Sequence, residues 1–182
     1  MPRIDLPVEL PGITGLFNFK PTTGVKLREM FHELLRGPGP LSFLDRERIA
    51  ARVSKVSRCQ YCFRSHDAAA RALEAGAGGE SSTADGSDLK LSALLRLAEA
   101  VALGGDQVSD QHVESARLAG ANDEEIHDTV LIAAAFCLAN RYVDGLGAIT
   151  PDDDAAYDAI GLHLATNGYL GARPANGQYR AS

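Results

Sequence analysis

Residues 45–66 read Asp45-Arg-Glu47-Arg-Ile49-Ala-Ala-Arg-Val53-Ser-Lys-Val56-Ser-Arg-Cys59-Gln-Tyr61-Cys62-Phe-Arg-Ser-His66. Ile49, Val53 and Val56 recur at helical spacing, which predicts a helix of about three turns. Ser42-Phe-Leu-Asp45 ahead of it is a Ser-x-x-acid pattern able to cap its N-terminus. A second helix is predicted from near Cys59 to about Leu73, because Arg, Ala and Leu dominate there and nothing breaks the run. Two Cys separated by two residues also occur in thioredoxin-like proteins, but on a sheet-based unit. No stretch of this chain alternates with period two, so that setting is excluded and the chain reads as all-α.

The rest of the chain follows the same period. Upstream, Leu27, Met30, Phe31, Leu34 and Leu35 mark a helix from Gly24 that Gly37-Pro-Gly-Pro40 ends. Residues 1–23, with Pro2, Pro7, Pro11 and Pro21, read as an extended arm whose apolar side chains need a packing partner. Ala75 to Ser87 is rich in Gly, Ser and Ala and predicts a flexible loop between two halves. Beyond it lie a helix through Leu91, Leu94, Leu95, Ala98 and Val101, then a short one over Asp110–Leu118. A long helix follows, capped by Asn122 or Asp123 and carrying Ile126, Val130, Ala133 and Cys137. A last helix is expected with Pro151 at its first position and Asp152 to Asp154 at its positive end. The expectation is a helical bundle of about six to eight helices: a single domain over residues 24–170, with a tail over 171–182.

Glu125, Cys137, Asn140 and Asp144 echo the spacing of Glu47, Cys59, Cys62 and His66, which raises the expectation of two related helical halves. Cys137 itself, inside an apolar run, reads as a buried bystander.

Among the 182 residues, 45% are hydrophobic and 23% charged, with a formal net charge of -6. That composition excludes a disordered or collagen-like chain. Its acidity argues against nucleic acid as a partner. No apolar run reads as membrane-spanning, and Met1-Pro-Arg-Ile-Asp-Leu-Pro7 has no signal-like stretch. Three Cys in such a chain predict a reducing, cytoplasmic setting.

The chemistry concentrates at Cys59, Cys62 and His66. Three residues apart in a helix's first turn, the two Cys share a face and can approach bonding distance. His66 lies one turn beyond Cys62 on the same face. A helix N-terminus and an imidazole both lower a thiol's pKa, so Cys62 and His66 have the parts of a nucleophile and its base, with Cys59 as resolving thiol. Glu47 reaches the cluster if its helix packs antiparallel to the next, and it would then orient His66. Tyr61 serves either to exclude water and donate a hydrogen bond or simply to pack. A zinc site is the competing reading, but two Cys and one His without a second ligand pair fall short of a closed set.

Glu47, Cys59, Cys62 and His66 together resemble the core motif of the alkylhydroperoxidase D family, within the carboxymuconolactone decarboxylase superfamily. The similarity runs over about residues 25–150. It implies an all-helical fold and a homo-oligomer (trimer, dimer or hexamer). It also implies a thiol-dependent peroxidase for hydrogen or organic hydroperoxides, with Cys62 peroxidatic, Cys59 resolving, and Glu47 and His66 relaying protons. No bound cofactor or metal is implied, but an external thiol reductant is. Two features depart from the best-studied members: Tyr61 stands where they carry His, and the motif lies in the N-terminal half. Both place the resemblance with the peroxidase-related branch. The alternatives are a decarboxylase-like lyase acting on a small cyclic acid, whose known members generally lack the Cys pair, and a non-catalytic redox-responsive oligomer.

Overall fold

In the computed structural model of the chain, residues 2–7, 9–76 and 85–170 are described, with side chains from 88 onward in the last of these segments. The helices are α1 (Gly12–Phe19), α2 (Pro21–Arg36), α3 (Phe43–Val56), α4 (Gln60–Gly76), α5 (Asp85–Leu103), α6 (Asp110–Leu118), α7 (Asp123–Leu146) and α8 (Asp154–Asn167). Among the described residues there is no strand, so the all-α reading stands. The expected loop over 75–87 is helical at Ala75–Gly76 and again from Asp85; its middle, like the expected tail, lies outside the described residues.

Local chemistry sets most helix starts. Ser42 Oγ accepts from the Asp45 N–H at 3.1 Å, which caps α3. Asn122 and Glu125 form a reciprocal capping box on α7. At α8 the cap is Asp153, whose carboxylate accepts from Ala156 N–H, so Pro151 stands outside the helix instead of at its first position. The acidic side chain satisfies an orphan N–H that a proline start would have left open.

Two apolar clusters hold the bundle. The larger joins α2, α3, α5 and α7 through residues such as Phe31, Leu35, Ile49, Leu97, Ile132 and Phe136. The smaller holds Leu16, Cys59, Tyr61, Cys62, Val143 and Tyr157, where α1, α4, α7 and α8 meet. α3 pairs with α4, and α4 with α8. At Gly161 of α8 an added Cβ would lie 2.4 Å from the Ala68 carbonyl carbon of α4, so the two helices approach at backbone distance.

The N-terminal arm is not extended throughout: Gly12–Phe19 is helical. Two glycines and flanking prolines hide this from a propensity reading, but burial of Leu16 (0%) and Phe17 (4%) supplies the stabilisation that propensity lacks. The arm packs on its own chain. Gly12 N–H donates to Ile149 O, and the Arg3 guanidinium donates to the carbonyls of Asp144 and Gly145, satisfying the C-terminus of α7. α7 is itself long and apolar enough to cross a membrane, contrary to the sequence reading, but 44% of its most apolar window is buried inside the bundle. It is the central core helix, which is apolar for the same reason a membrane span is. It also removes the echo of the motif, because Glu125, Cys137, Asn140 and Asp144 lie on one continuous helix, whereas Glu47 and Cys59 fall on either side of a turn.

Candidate active site

The α3–α4 turn delivers the two cysteines. Cys59 N–H donates to Ser54 O at 3.0 Å and Arg58 N–H to Lys55 O at 3.1 Å, while Arg58 takes the left-handed φ of 59°. This closing pattern satisfies the last carbonyls of α3 and puts Cys59 directly before α4. Cys62 follows in the first turn of α4. Both thiols are reduced and buried, Cys59 at 0% exposure and Cys62 at 4%.

The helix start does not lower the Cys62 pKa as expected. The hydrogen bond with Cys59, then burial, then the charges of Cys59 and Asp144 push the Cys62 thiol well above its ordinary range. A neighbouring thiol and an apolar cluster both disfavour the anion, and together they outweigh the helix end. At rest Cys62 is therefore protonated. Among the described residues no hydrogen bond joins it to His66, although both line one cavity.

Glu47 and His66 meet as the antiparallel hairpin requires. The His66 Nδ1–H donates to Glu47 Oε2 at 2.7 Å, with Glu47 at 0% exposure. Two further groups converge on the carboxylate. Arg36 Nη2 donates to Glu47 Oε1 at 2.6 Å, and so does the Tyr169 hydroxyl, also at 2.6 Å. Tyr169 stacks on His66 with ring centroids 6.1 Å apart and an interplanar angle of 11°. Its oxygen lies 3.2 Å from His66 Nδ1, and its N–H donates to His32 Nδ1 at 3.3 Å. Burial alone pushes the Glu47 carboxyl up, but His66, Arg36 and the Tyr169 hydroxyl together hold it below its usual value. The result is a buried carboxylate that keeps its charge because three partners surround it.

Arg36 and Tyr169 carry no motif spacing and were missed by sequence reasoning. The only available signal was a cation at the end of α2, eleven positions before Glu47, which no rule ties to it.

A cavity of about 550 Å³ opens beside this cluster. Cys62, His66, Tyr61 and Tyr169 line it, as do Phe17 of α1 and Phe136 of α7. Glu47 and Cys59 are not on its wall, so of the two thiols only Cys62 faces the space. Tyr61 is buried against Tyr157, with ring centroids 6.1 Å apart, and against the backbone of Gly12, where an added Cβ would fall 1.9 Å from its ring. Burial pushes its hydroxyl far above the ordinary tyrosine range, so it is a neutral wall of the cavity.

The remaining candidates serve the frame. Asn140 is buried on α7 with its Oδ1 3.1 Å from Ser54 Oγ of α3, and Glu125 pairs with Lys90 at 2.6 Å. Cys137 is half-buried. Among the described residues no three His, Cys, Asp or Glu side chains converge as a metal-binding group.

Residues 68–151 match the model of the carboxymuconolactone decarboxylase family. That segment starts two residues after His66, so it covers most of α4 through α7 and leaves the Glu47, Cys59, Cys62 and His66 cluster outside. Two solved structures share the fold. An uncharacterized peroxidase-related protein from Silicibacter sp. TM1040 is 24% identical, with a TM-score of 0.67 over 81% of this chain and 78% of that one. A protein from Ralstonia eutropha JMP134, described as an alkylhydroperoxidase AhpD core and an uncharacterized peroxidase-related protein, is 23% identical with a TM-score of 0.66 over 84% and 82%. No curated protein matches. The chain is thus similar in fold to alkylhydroperoxidase D-like proteins, and just under half of it matches the carboxymuconolactone decarboxylase family model.

Proposed function

From that alkylhydroperoxidase D-like fold, we propose that the chain is a thiol-dependent peroxidase working through Cys62 and Cys59. The observation that carries this is positional. Cys62 shares a cavity wall with His66, while Cys59 is fully buried against Cys62 and off that wall. Because Nδ1–H of His66 is committed to Glu47, the other ring nitrogen is left as an acceptor, the tautomer a general base needs.

In the proposed cycle His66 takes the Cys62 thiol proton. The thiolate attacks the terminal oxygen of a hydroperoxide, the O–O bond breaks, and the leaving alkoxide takes the proton from His66. Cys62 is now a sulfenic acid. The Cys59 sulfur then attacks the Cys62 sulfur, the S–O bond breaks, and the departing hydroxide leaves as water with the Cys59 proton. An external dithiol returns two electrons and two protons to the resulting disulfide. Buried Glu47 stabilises the imidazolium that forms in between. The cycle calls for no metal or bound cofactor, and the reducing cytoplasm suits its resting dithiol state. Assembly as a homo-oligomer belongs to the same proposal: α7 leaves Leu131 and Leu138, seven apart on one face, 42% and 45% exposed.

The test mixes fully reduced protein rapidly with hydrogen peroxide and, separately, cumene hydroperoxide, following thiol loss by mass spectrometry. Two thiols should disappear into a Cys59–Cys62 disulfide. Cys62→Ser should abolish turnover, and Cys59→Ser should leave a sulfenic acid that dimedone traps. Thiol loss no faster than that of free cysteine would overturn the proposal. The family-model match favours a lyase acting on a small cyclic acid as second reading; that activity would survive thiol alkylation.

A further inference from the structure

We propose that Arg36 is a positioning residue of this site: its fixed positive charge balances Glu47, so that His66 stands neutral at rest with Nε2 free to take a proton. Only the use made of that base rests on the peroxidase reading. The Glu47 carboxylate is divided between its two oxygens. Oε1 accepts from Arg36 Nη2 and from the Tyr169 hydroxyl, both at 2.6 Å, while Oε2 accepts from His66 Nδ1–H at 2.7 Å. The two donors on Oε1 hold the carboxylate so that Oε2 is the oxygen left for the imidazole.

Charge counting decides the state of that imidazole. The Arg36 and Glu47 side chains are 6% and 0% exposed, so bulk water screens neither charge. A buried cluster with a net charge is unfavourable, and a titratable member gains or loses a proton to remove it. A guanidinium stays charged at every working pH, so with Arg36 present Glu47 is already balanced, and a proton added to His66 would leave a positive charge in excess. Without Arg36, Glu47 beside a neutral His66 would carry an uncompensated negative charge, and uptake of one proton would restore neutrality. The imidazole would then hold that proton and the base would be lost.

Arg36 is fixed where this balance needs it. Its guanidinium donates to the carbonyls of Leu35 and Leu164 at 2.7 and 3.0 Å, and lies over the rings of Phe43 and Tyr169. Those carbonyls would accept equally from a neutral amide; Glu47 is the partner that calls for a cation. The other titratable neighbours are differently engaged or placed. Arg46, next to Glu47 on α3, donates to the carbonyls of Leu34, Gly37 and Leu41, and His32 of α2 accepts from the Tyr169 N–H. α7 presents the uncharged Phe136 ring to His66, at right angles and 4.5 Å between centroids. On the cavity wall that His66 shares stand Tyr61 and Cys62 of α4, Arg28 of α2 and His163 of α8.

The test reads the proton on His66 directly. Full-length reduced protein carrying 15N-histidine is titrated from pH 5 to pH 9 by NMR, with His66→Phe identifying the signal among the five histidines. In the parent at pH 8 the proton should sit on Nδ1, with Nε2 bare. Arg36→Gln keeps a donor but no charge. It should raise the His66 midpoint by about one unit, since a charge within about 4–6 Å moves a titration by about 1–3 units and Arg36 acts across one carboxylate. Arg36→Lys, which keeps the charge, should bring the midpoint back to within about 0.3 unit of the parent. A shift below about 0.5 unit in Arg36→Gln, or an equal shift in Arg36→Lys, would overturn the inference. So would an Nε2 proton in the parent at pH 8, a result that needs no variant to fold. The acid limb of kcat/KM for cumene hydroperoxide should move with the midpoint, lowering turnover by Arg36→Gln about tenfold below the limb. A protein that consumes no hydroperoxide but shows the charge-dependent shift would sink the peroxidase reading and leave Arg36 in its role. An unshifted His66 in a working peroxidase would do the reverse.

Discussion

Replacing Tyr169 with Phe removes one oxygen from the middle of the buried network and leaves its shape intact. The ring keeps its stacking on His66 and its place beneath Arg36, whose guanidinium carbon lies 5.3 Å from the ring centroid. What is lost is the 2.6 Å hydrogen bond to Glu47 Oε1. A hydrogen bond to a charged group contributes about 1.5–3 kcal/mol, and Glu47, at 0% exposure, has no water to take its place. A loss of about 2 kcal/mol in a chain of this size lowers Tm by about 4–8 °C. The loss must also depend on pH. Glu47 is held below its unfolded value, so its contribution is complete above the unfolded carboxyl pKa of about 4.3 and disappears as pH falls through the lower folded value. Calorimetric melts of both proteins from pH 8 to pH 3.5 should therefore show a constant gap down to about pH 5, closing below it. A Tm within about 1 °C of wild type at pH 7, or a gap that widens as pH falls below 5, would refute the reading of Glu47 as a charge held by three partners.

Other consequences are as direct. Thiolate absorbance at 240 nm should show Cys62 titrating above the free-cysteine value of about 8.5, and Cys59→Ala should bring it down, since Cys59 is the largest cause of the shift; titration at or below pH 7 would contradict this. The same raised value makes folding stability complete below about pH 8.5 and lost as pH rises through the higher folded value. Gly161→Ala forces a Cβ to 2.4 Å from the Ala68 backbone, so it should cost about 1–3 kcal/mol, although Gly to Ala within an open helix is normally favourable. A higher Tm would mean that α4 and α8 are not so close. Gly12→Ala meets both a φ of +59° and the Tyr61 ring, and should displace Tyr61 and speed alkylation of Cys62 by iodoacetamide; an unchanged rate would show that α1 does not seal the cavity.

Wherever the apolar period is long and a side-chain cap sits beside it, the helices were legible. α3, α6 and α7 fall where Ile49 and Val53, the Asp110–Leu118 run, and the Asn122 cap put them. Glu47, Cys59, Cys62 and His66 were legible for the same reason, since fixed spacing on two helices joined by a short turn leaves one way to bring them together. α1 was not legible, because eight residues with two glycines form a helix only when Leu16 and Phe17 are buried by elements far along the chain. Pro151 misled because Asp153, two residues later, offers a better cap.

By itself, then, the sequence determined an all-helical chain and the Cys-x-x-Cys, His and Glu register, because helix periodicity and short-range spacing are local properties. The tertiary structure alone decided the company of those residues. Arg36 and Tyr169 come to Glu47 from eleven and 122 positions away. Cys62, expected to be acidified by its helix, is instead held protonated. Charge, burial and hydrogen bonding at a buried site depend on everything within a few ångströms, and chain folding brings that neighbourhood together from positions no local pattern connects.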